Sequence, residues 1–136
     1  MKKSLSLVTV LAILSLVLAA CGGAGGPSTS IKAEFTDFVF TPNEWTIPAG
    51  QEITLTASNA GAVIHEFVIM KYGLTIGDDF GDEDEANIYW EVEVEPGGEV
   101  TVTFTAPTEP GVYQIVCGTE GHFVAGMLGT LTVVAP

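Results

Sequence analysis

Four side chains with metal-binding chemistry stand out in this 136-residue sequence. Cys117, His122 and Met127 follow one another at intervals of five residues, and His65 is the only other histidine. A thiolate and two imidazoles in a trigonal arrangement, with a more distant thioether, suit copper, because sulfur holds Cu(I) and imidazole holds Cu(II). The residue types and their spacing therefore predict a mononuclear copper site.

Each of these residues also has a structural explanation. A single histidine is commonly structural, a buried free cysteine packs as a small apolar residue, and Met127 could belong to a core. The combination at this spacing favours the metal site over four separate coincidences. Met70, which falls in a strand after His65, is interpreted as a packing residue and not as a ligand.

The elements that must position these ligands have the pattern of short β-strands. From residue 31 onward, apolar and polar residues alternate between turn signals rich in Gly, Pro and Asn. About eight such strands predict an all-β, antiparallel Greek-key β-sandwich in which residues 31–136 form one domain. The predicted strands cover 31–40, 44–47, 51–58, 65–71, 88–94, 100–104, 112–117 and 128–134.

One segment, residues 73–87, does not fit the strand pattern. It concentrates six acidic residues, which favours a solvated loop, and a short helix over 82–86 is the alternative. The six acids are Asp78, Asp79, Asp82, Glu83, Asp84 and Glu85.

The N-terminal residues 1–20 are typical of an export signal peptide. Lys2 and Lys3 precede an apolar run that is short for a membrane span, and Leu-Ala-Ala then leads into Cys21. This ending resembles the bacterial lipobox, which implies cleavage before Cys21 and a lipid on its sulfur. An ordinary secretory signal and a retained membrane helix are the alternatives. Residues 21–30 predict a flexible Gly/Ser linker that keeps the domain near a bacterial membrane, outside the cytoplasm.

The charge and the length exclude whole classes of function. Seventeen acidic residues against four lysines and no arginine give a formal charge of −13. Removing residues 1–20 would remove two lysines and no acid, which leaves −15. Such a surface repels nucleic acid, and the length excludes a multidomain enzyme.

The stretch CGTEGHFVAGMLGTLTV, residues 117–133, resembles the ligand loop of the cupredoxins, the blue copper proteins. Its four-residue gaps are similar to those of auracyanin and rusticyanin more than to the shorter gap of plastocyanin, and residues 40–67 resemble the family's approach to its first histidine. Over residues 31–136, the resemblance implies a Greek-key sandwich, one copper ion and electron transfer. By position it implies His65 and His122 as imidazole ligands, Cys117 as the thiolate and Met127 as the weak axial ligand.

Two residues depart from the family pattern. Many cupredoxins carry Asn after the first histidine, where its side chain braces the cysteine loop, and Pro before the Gly-His pair. Here these positions hold Glu66 and Glu120. A carboxylate near the metal would favour Cu(II) over Cu(I), so we hypothesise a lower reduction potential than with neutral residues there.

The resemblance implies a one-electron carrier and not an enzyme. Two histidines cannot supply a second copper site, and Gly121 stands where a binuclear centre needs a second cysteine. The edge of His122 is expected to face solvent, within an apolar docking patch formed by Phe123, Val124 and Met127. A copper carrier or buffer that transfers the ion itself is the alternative function, and a binding module without redox use is a third.

The acidic surface predicts the charge of the redox partner. A strongly negative domain attracts a cationic protein at long range, and the six acids of residues 78–85 are the candidate docking surface. A basic cytochrome or the basic face of a membrane redox complex would fit. The competing explanation is that the acidity only keeps the domain soluble.

Overall fold

The computed structural model describes residues 26–136 and places nine strands in this region. The predicted signal peptide and Cys21 lie outside the described residues. Within residues 26–136, no helix is long and apolar enough to cross a membrane. The strands are β1 (Ser30–Thr36), β2 (Val39–Thr41), β3 (Glu44–Pro48), β4 (Glu52–Asn59), β5 (His65–Met70), β6 (Ile88–Val94), β7 (Glu99–Thr105), β8 (Gly111–Val116) and β9 (Leu128–Val134).

The strands form two sheets that pack face to face, which confirms the all-β sandwich. One sheet has the order β2-β1-β4-β7, and the other has the order β3-β9-β8-β5-β6. The predicted run 31–40 divides at Asp37 and Phe38 into β1 and β2, so there are nine strands instead of about eight. Two neighbouring pairs, β1 with β4 and β3 with β9, are parallel. The other strand pairs are antiparallel, as predicted. The two parallel pairs were not foreseen, because alternation shows which side chains face the core and not the direction of the neighbouring strand.

Aromatic rings fill the interior beneath the strand that begins with His65. Phe67, two residues further along β5, is fully buried on the same face of the sheet. Its ring centroid lies 5.0 Å from that of Trp45, 5.8 Å from that of Phe40 and 6.4 Å from that of Phe35. These contacts give β5 a rigid apolar support directly below its first residue.

The outer face of β5 is covered by the acidic segment, residues 73–87. Ile76 of this segment forms a second apolar cluster with Val68, Met70 and Val116, and Phe80 packs against it. The alternative helix over 82–86 is absent from the described segment, where a single 3-10 turn spans Glu85–Asn87 instead. The segment is therefore a loop anchored by apolar residues, and Met70 is a packing residue, as predicted.

Candidate metal centre

The sheet topology brings the two ligand-bearing stretches to one end of the sandwich. β5 and β8 are antiparallel neighbours, with Val68 opposite Val116. His65 begins β5 and Cys117 directly follows β8, so both residues lie at the same end of these two neighbouring strands. His122 and Met127 belong to the loop that joins β8 to β9, and that loop closes over this end of the sheet.

Three of the four predicted ligands converge. His65 Nδ1 lies 3.1 Å from His122 Nδ1, and the Cys117 Sγ lies 3.3 Å from His122 Nδ1 and 3.9 Å from His65 Nδ1. His65 and Cys117 are fully buried, and His122 is 8% exposed. The structure thus places one sulfur and two nitrogen donors around a single point that is shielded from water.

A chain of tight turns brings His122 and Met127 back toward Cys117. The Met127 N–H donates to the His122 carbonyl at 3.0 Å, and the Cys117 N–H donates to the Met127 carbonyl at 3.1 Å. Gly121 and Gly126 adopt φ values of +78° and +97°, which side chains of L-residues rarely tolerate. The Met127 side chain is fully buried, as a ligand or a core residue would be.

The separations between these donor atoms fit one copper ion. Nitrogen and sulfur ligands at roughly 2.0–2.3 Å from a first-row ion, arranged in a plane, lie about 3.5–3.8 Å from one another. The observed separations of 3.1, 3.3 and 3.9 Å bracket that range. The cluster offers two imidazoles and one thiolate, donors that suit copper, and it contains no carboxylate of the kind that Mg²⁺ or Ca²⁺ prefers.

Burial and nearby groups shift the pKa values of Cys117 and His122. Burial raises the pKa of the Cys117 thiol, and the Glu66 N–H, which donates to Sγ at 3.3 Å, acts in the opposite direction. Burial and the neighbouring His65 lower the pKa of His122. A neutral imidazole keeps a lone pair, so the apolar environment favours the form of His122 that can bind a metal.

Thr119 links the cysteine loop to the strand that carries the first histidine. Its hydroxyl donates to the Ile64 carbonyl at 3.3 Å, next to His65. The Glu66 carboxylate instead occupies the space beside Gly118 that a side chain there would need. Thr119 thus makes a side-chain hydrogen bond between the two ligand-bearing stretches, and no sequence motif marks this residue.

The two carboxylates that depart from the family pattern lie in different environments. Glu66 is half-buried, and burial, followed by the charges of Glu91, Glu93 and Glu85, raises its pKa. Glu120 is exposed. A charge in partly buried surroundings is screened less than an exposed one, so any effect on the metal should come mainly from Glu66.

We expect E66Q to raise the reduction potential of the copper-loaded protein by an amount on the order of tens of millivolts, because it removes a charge that favours Cu(II). The matched variant E120Q should give a smaller increase. Voltammetry of the two single variants and of the double variant measures this. An unchanged or lower potential in the double variant would contradict the hypothesis.

Asp37 and Phe38, in the turn between β1 and β2, also contact the imidazoles and were not identified from the sequence. The Asp37 Oδ1 lies 2.8 Å from His65 Nε2. Its hydrogen bonds from the Ala62 N–H and from His65 lower the pKa of Asp37. The Phe38 ring packs edge-on against His122, with centroids 4.7 Å apart. No local motif marks these residues, because 28 positions separate Asp37 from His65.

The surface around His122 is apolar but differs in membership from the predicted patch. Val124 is 65% exposed and Phe38 is 38% exposed. Phe123 is half-buried and packs against the second apolar cluster. Met127 does not reach the surface, so its expected contribution to the patch was wrong.

Comparison with known proteins identifies relatives over nearly the whole chain. Residues 7–133 match the family model of the cupredoxin-like domain. Auracyanin-A of Chloroflexus aurantiacus is 33% identical in an alignment that covers 93% of this chain and 94% of that protein.

Two solved structures show the same similarity. Dithionite-reduced auracyanin from Roseiflexus castenholzii has a TM-score of 0.67 and 34% identity, covering 80% of this chain and 99% of that one. Auracyanin A, a "blue" copper protein from Chloroflexus aurantiacus, has a TM-score of 0.59 and 27% identity, covering 80% of this chain and all of that one. The fold, the buried donor cluster and these matches agree: the chain belongs to the cupredoxin-like family.

Proposed function

We propose that this protein is a membrane-tethered, mononuclear blue copper protein that carries single electrons between redox partners outside the cytoplasm. The observation that carries the proposal is the buried cluster of His65, Cys117 and His122, whose ligand atoms all lie within 4.8 Å of one another. The similarity to auracyanins, one of them described as a "blue" copper protein, supports copper as the metal.

The ligands of the proposed site would need to move little when the bound copper changes its oxidation state. Copper bound there would cycle between Cu(I) and Cu(II), which accepts and releases one electron. The soft thiolate of Cys117 and the two imidazoles together serve both oxidation states, so neither state demands a new arrangement of ligands. The packed interior around them resists movement and excludes water.

The burial of the ligands favours a carrier over an enzyme. Redox catalysis at copper needs an open position that a substrate can reach. Here His65, Cys117 and Met127 are fully buried, and His122 is the predicted ligand nearest to solvent. An exposed apolar rim formed by Phe38 and Val124 surrounds that edge, so a partner protein could dock closely there without entering the site.

The proposed tether rests on the sequence before the folded domain. Cys21 follows the lipobox-like Leu-Ala-Ala, and residues 22–29 separate it from β1, which begins at Ser30, one residue before the predicted start of the domain. Eight residues of Gly/Ser-rich linker composition have an r.m.s. reach of roughly 14–17 Å. A lipid on Cys21 would thus hold the domain close to the membrane surface, outside the cytoplasm. The wild-type protein should fractionate with bacterial membranes and C21A should not.

Voltammetry in the presence of a mild copper chelator tests the carrier function. The copper-loaded protein should show one reversible one-electron couple and keep its copper over repeated cycles, because the ligands are buried. Rapid loss of copper to the chelator would instead favour the alternative, a carrier or buffer that transfers the ion itself.

We further propose that the acidic segment, residues 73–87 and called the acidic loop from here on, docks a cationic redox partner, such as a basic cytochrome. The loop is anchored to the sheet through Ile76, whose N–H donates to the Gln114 Oε1 at 2.7 Å. Five of its six acids are exposed, and Asp84 is half-buried while accepting the Gly81 N–H. Phe80 of the same loop lies near Gly118, which directly follows Cys117. This contact supports a docking surface at the metal end of the domain.

Replacing the six acids of the loop by their amides should slow electron transfer to a basic cytochrome by about tenfold or more at low salt, and far less at high salt. Stopped-flow kinetics over a range of salt concentrations measures this. The control variant carries the same change in net charge on six exposed glutamates elsewhere: Glu34, Glu44, Glu52, Glu95, Glu99 and Glu109. Equal losses in both variants would mean that the acidity acts only through net charge, and unchanged rates would exclude docking by this loop.

A further inference from the structure

We propose that Asp37 is a positioning residue for the first imidazole ligand and that it fixes His65 in the tautomer whose Nδ1 is free to bind the metal. The inference rests on the proposed copper site. It concerns a residue in the turn between β1 and β2, outside the two stretches that carry the predicted ligands.

The two ring nitrogens of His65 face opposite surroundings. Nδ1 points into the donor cluster, 3.1 Å from His122 Nδ1 and 3.9 Å from the Cys117 Sγ. Nε2 points away from it and lies 2.8 Å from the Asp37 Oδ1. An ionised carboxylate only accepts hydrogen bonds, so Nε2 must carry the proton and Nδ1 keeps the lone pair.

Asp37 is itself held in place by the loop before His65. The Ala62 N–H donates to its Oδ2 at 3.0 Å and to its Oδ1 at 3.3 Å. Gly61 passes so close that a Cβ at that position would collide with the Asp37 Oδ1 and lie 2.8 Å from His65 Nε2. The backbone at position 61 therefore fits against the hydrogen-bonded Asp37 and His65 side chains only because it carries no side chain.

A second set of hydrogen bonds fixes this loop to the sandwich. The buried Asn59 accepts the Gly61 N–H at 2.8 Å and donates to the Val63 and Val94 carbonyls at 2.8 and 2.9 Å. The carboxylate of Asp37 is thus supported by a loop that is itself fixed to the sandwich. This support is what a residue that orients a metal ligand requires.

Loss of the carboxylate should affect the metal through the ring that Asp37 orients. Carboxylates that accept from a ligating histidine raise its basicity, and removing such a partner typically lowers metal affinity about 10–100-fold. We expect D37A to show a loss of this size in Cu(II) affinity and a higher reduction potential, because the negative charge favours Cu(II). D37N retains one acceptor oxygen for Nε2 and should lie between D37A and the wild type.

The experiment compares D37A and D37N with E34Q, which removes one exposed acid from β1 of the same sheet. Competition with a chelator gives the Cu(II) affinity, and voltammetry gives the potential. Long-range 1H–15N spectra of the metal-free protein, at a pH where both imidazoles are neutral, give the ring tautomers. Thermal unfolding identifies any variant that is not folded, in which case D37N decides.

The expected result is that E34Q changes the Cu(II) affinity by less than about twofold, and that the wild-type His65 ring is protonated at Nε2 but is a mixture of tautomers in D37A. Affinities and potentials in both Asp37 variants that match those of E34Q would overturn the proposal, as would an Nδ1-protonated His65 in the wild type. An intense thiolate–copper band in the wild type shows that the proposed copper site forms whatever the role of Asp37, and its absence would count against the proposed function instead.

Discussion

The variant C117S is expected to lose the intense visible absorption of the Cu(II)-loaded protein and to lose most of its affinity for Cu(I). The thiolate is the only soft anionic donor in the cluster, so its removal leaves two imidazoles and a thioether. The loss of affinity should exceed the ~10–100-fold that removal of an outer hydrogen-bond partner costs. Absorption spectroscopy and competition for Cu(I) measure the two effects.

The variant M127L is the matched control for C117S. Leucine keeps the apolar volume of the buried Met127, and such swaps cost less than about 1.5 kcal/mol. The thiolate band should persist in M127L, while its reduction potential shifts because the weak axial ligand tunes that potential. An intense band that survives in C117S would show that Cys117 is not the thiolate ligand.

The variant F67A is expected to lower the free energy of unfolding by roughly 3–5 kcal/mol, the usual cost of truncating a large buried aromatic side chain. Phe67 is fully buried, and its ring contacts those of Phe35, Phe40 and Trp45. The cavity would open directly under the strand that begins with His65. Denaturant unfolding of the metal-free protein measures the loss.

The control for F67A is V112A, at a β8 side chain that is 63% exposed. Surface substitutions of this kind usually change stability by no more than about 0.5 kcal/mol. A loss below about 1 kcal/mol in F67A would mean that the aromatic cluster is not the main apolar support of the sandwich.

Most of the predicted ligands could be recognised because they lie close together in the sequence. Cys117, His122 and Met127 share one loop, so their order and spacing are visible without a fold. His65 could be added because it is the other histidine and begins a strand. Asp37 and Thr119 could not be found in this way, since an aspartate in a turn and a threonine in a loop are common residues whose partners are set by the packing of the sheets.

The strands were predicted from alternation, and the errors follow from what alternation cannot show. β4 buries every second residue, from Ile53 to Asn59, as its pattern predicts. The parallel partners of β3 and β4 are invisible in that pattern, because the same side chains face the core in either direction. β5 is apolar on both faces, and only the fold shows that the acidic loop covers its outer face.

The absorption spectrum of the Cu(II)-loaded protein, recorded before and after reduction with ascorbate, tests the central claim most directly. A copper ion held by Cys117, His65 and His122 predicts an intense blue or green band that disappears on reduction and returns on oxidation. A faint, broad band, or none, would mean coordination by nitrogen and oxygen alone or no site at these residues, and would contradict the proposed electron carrier.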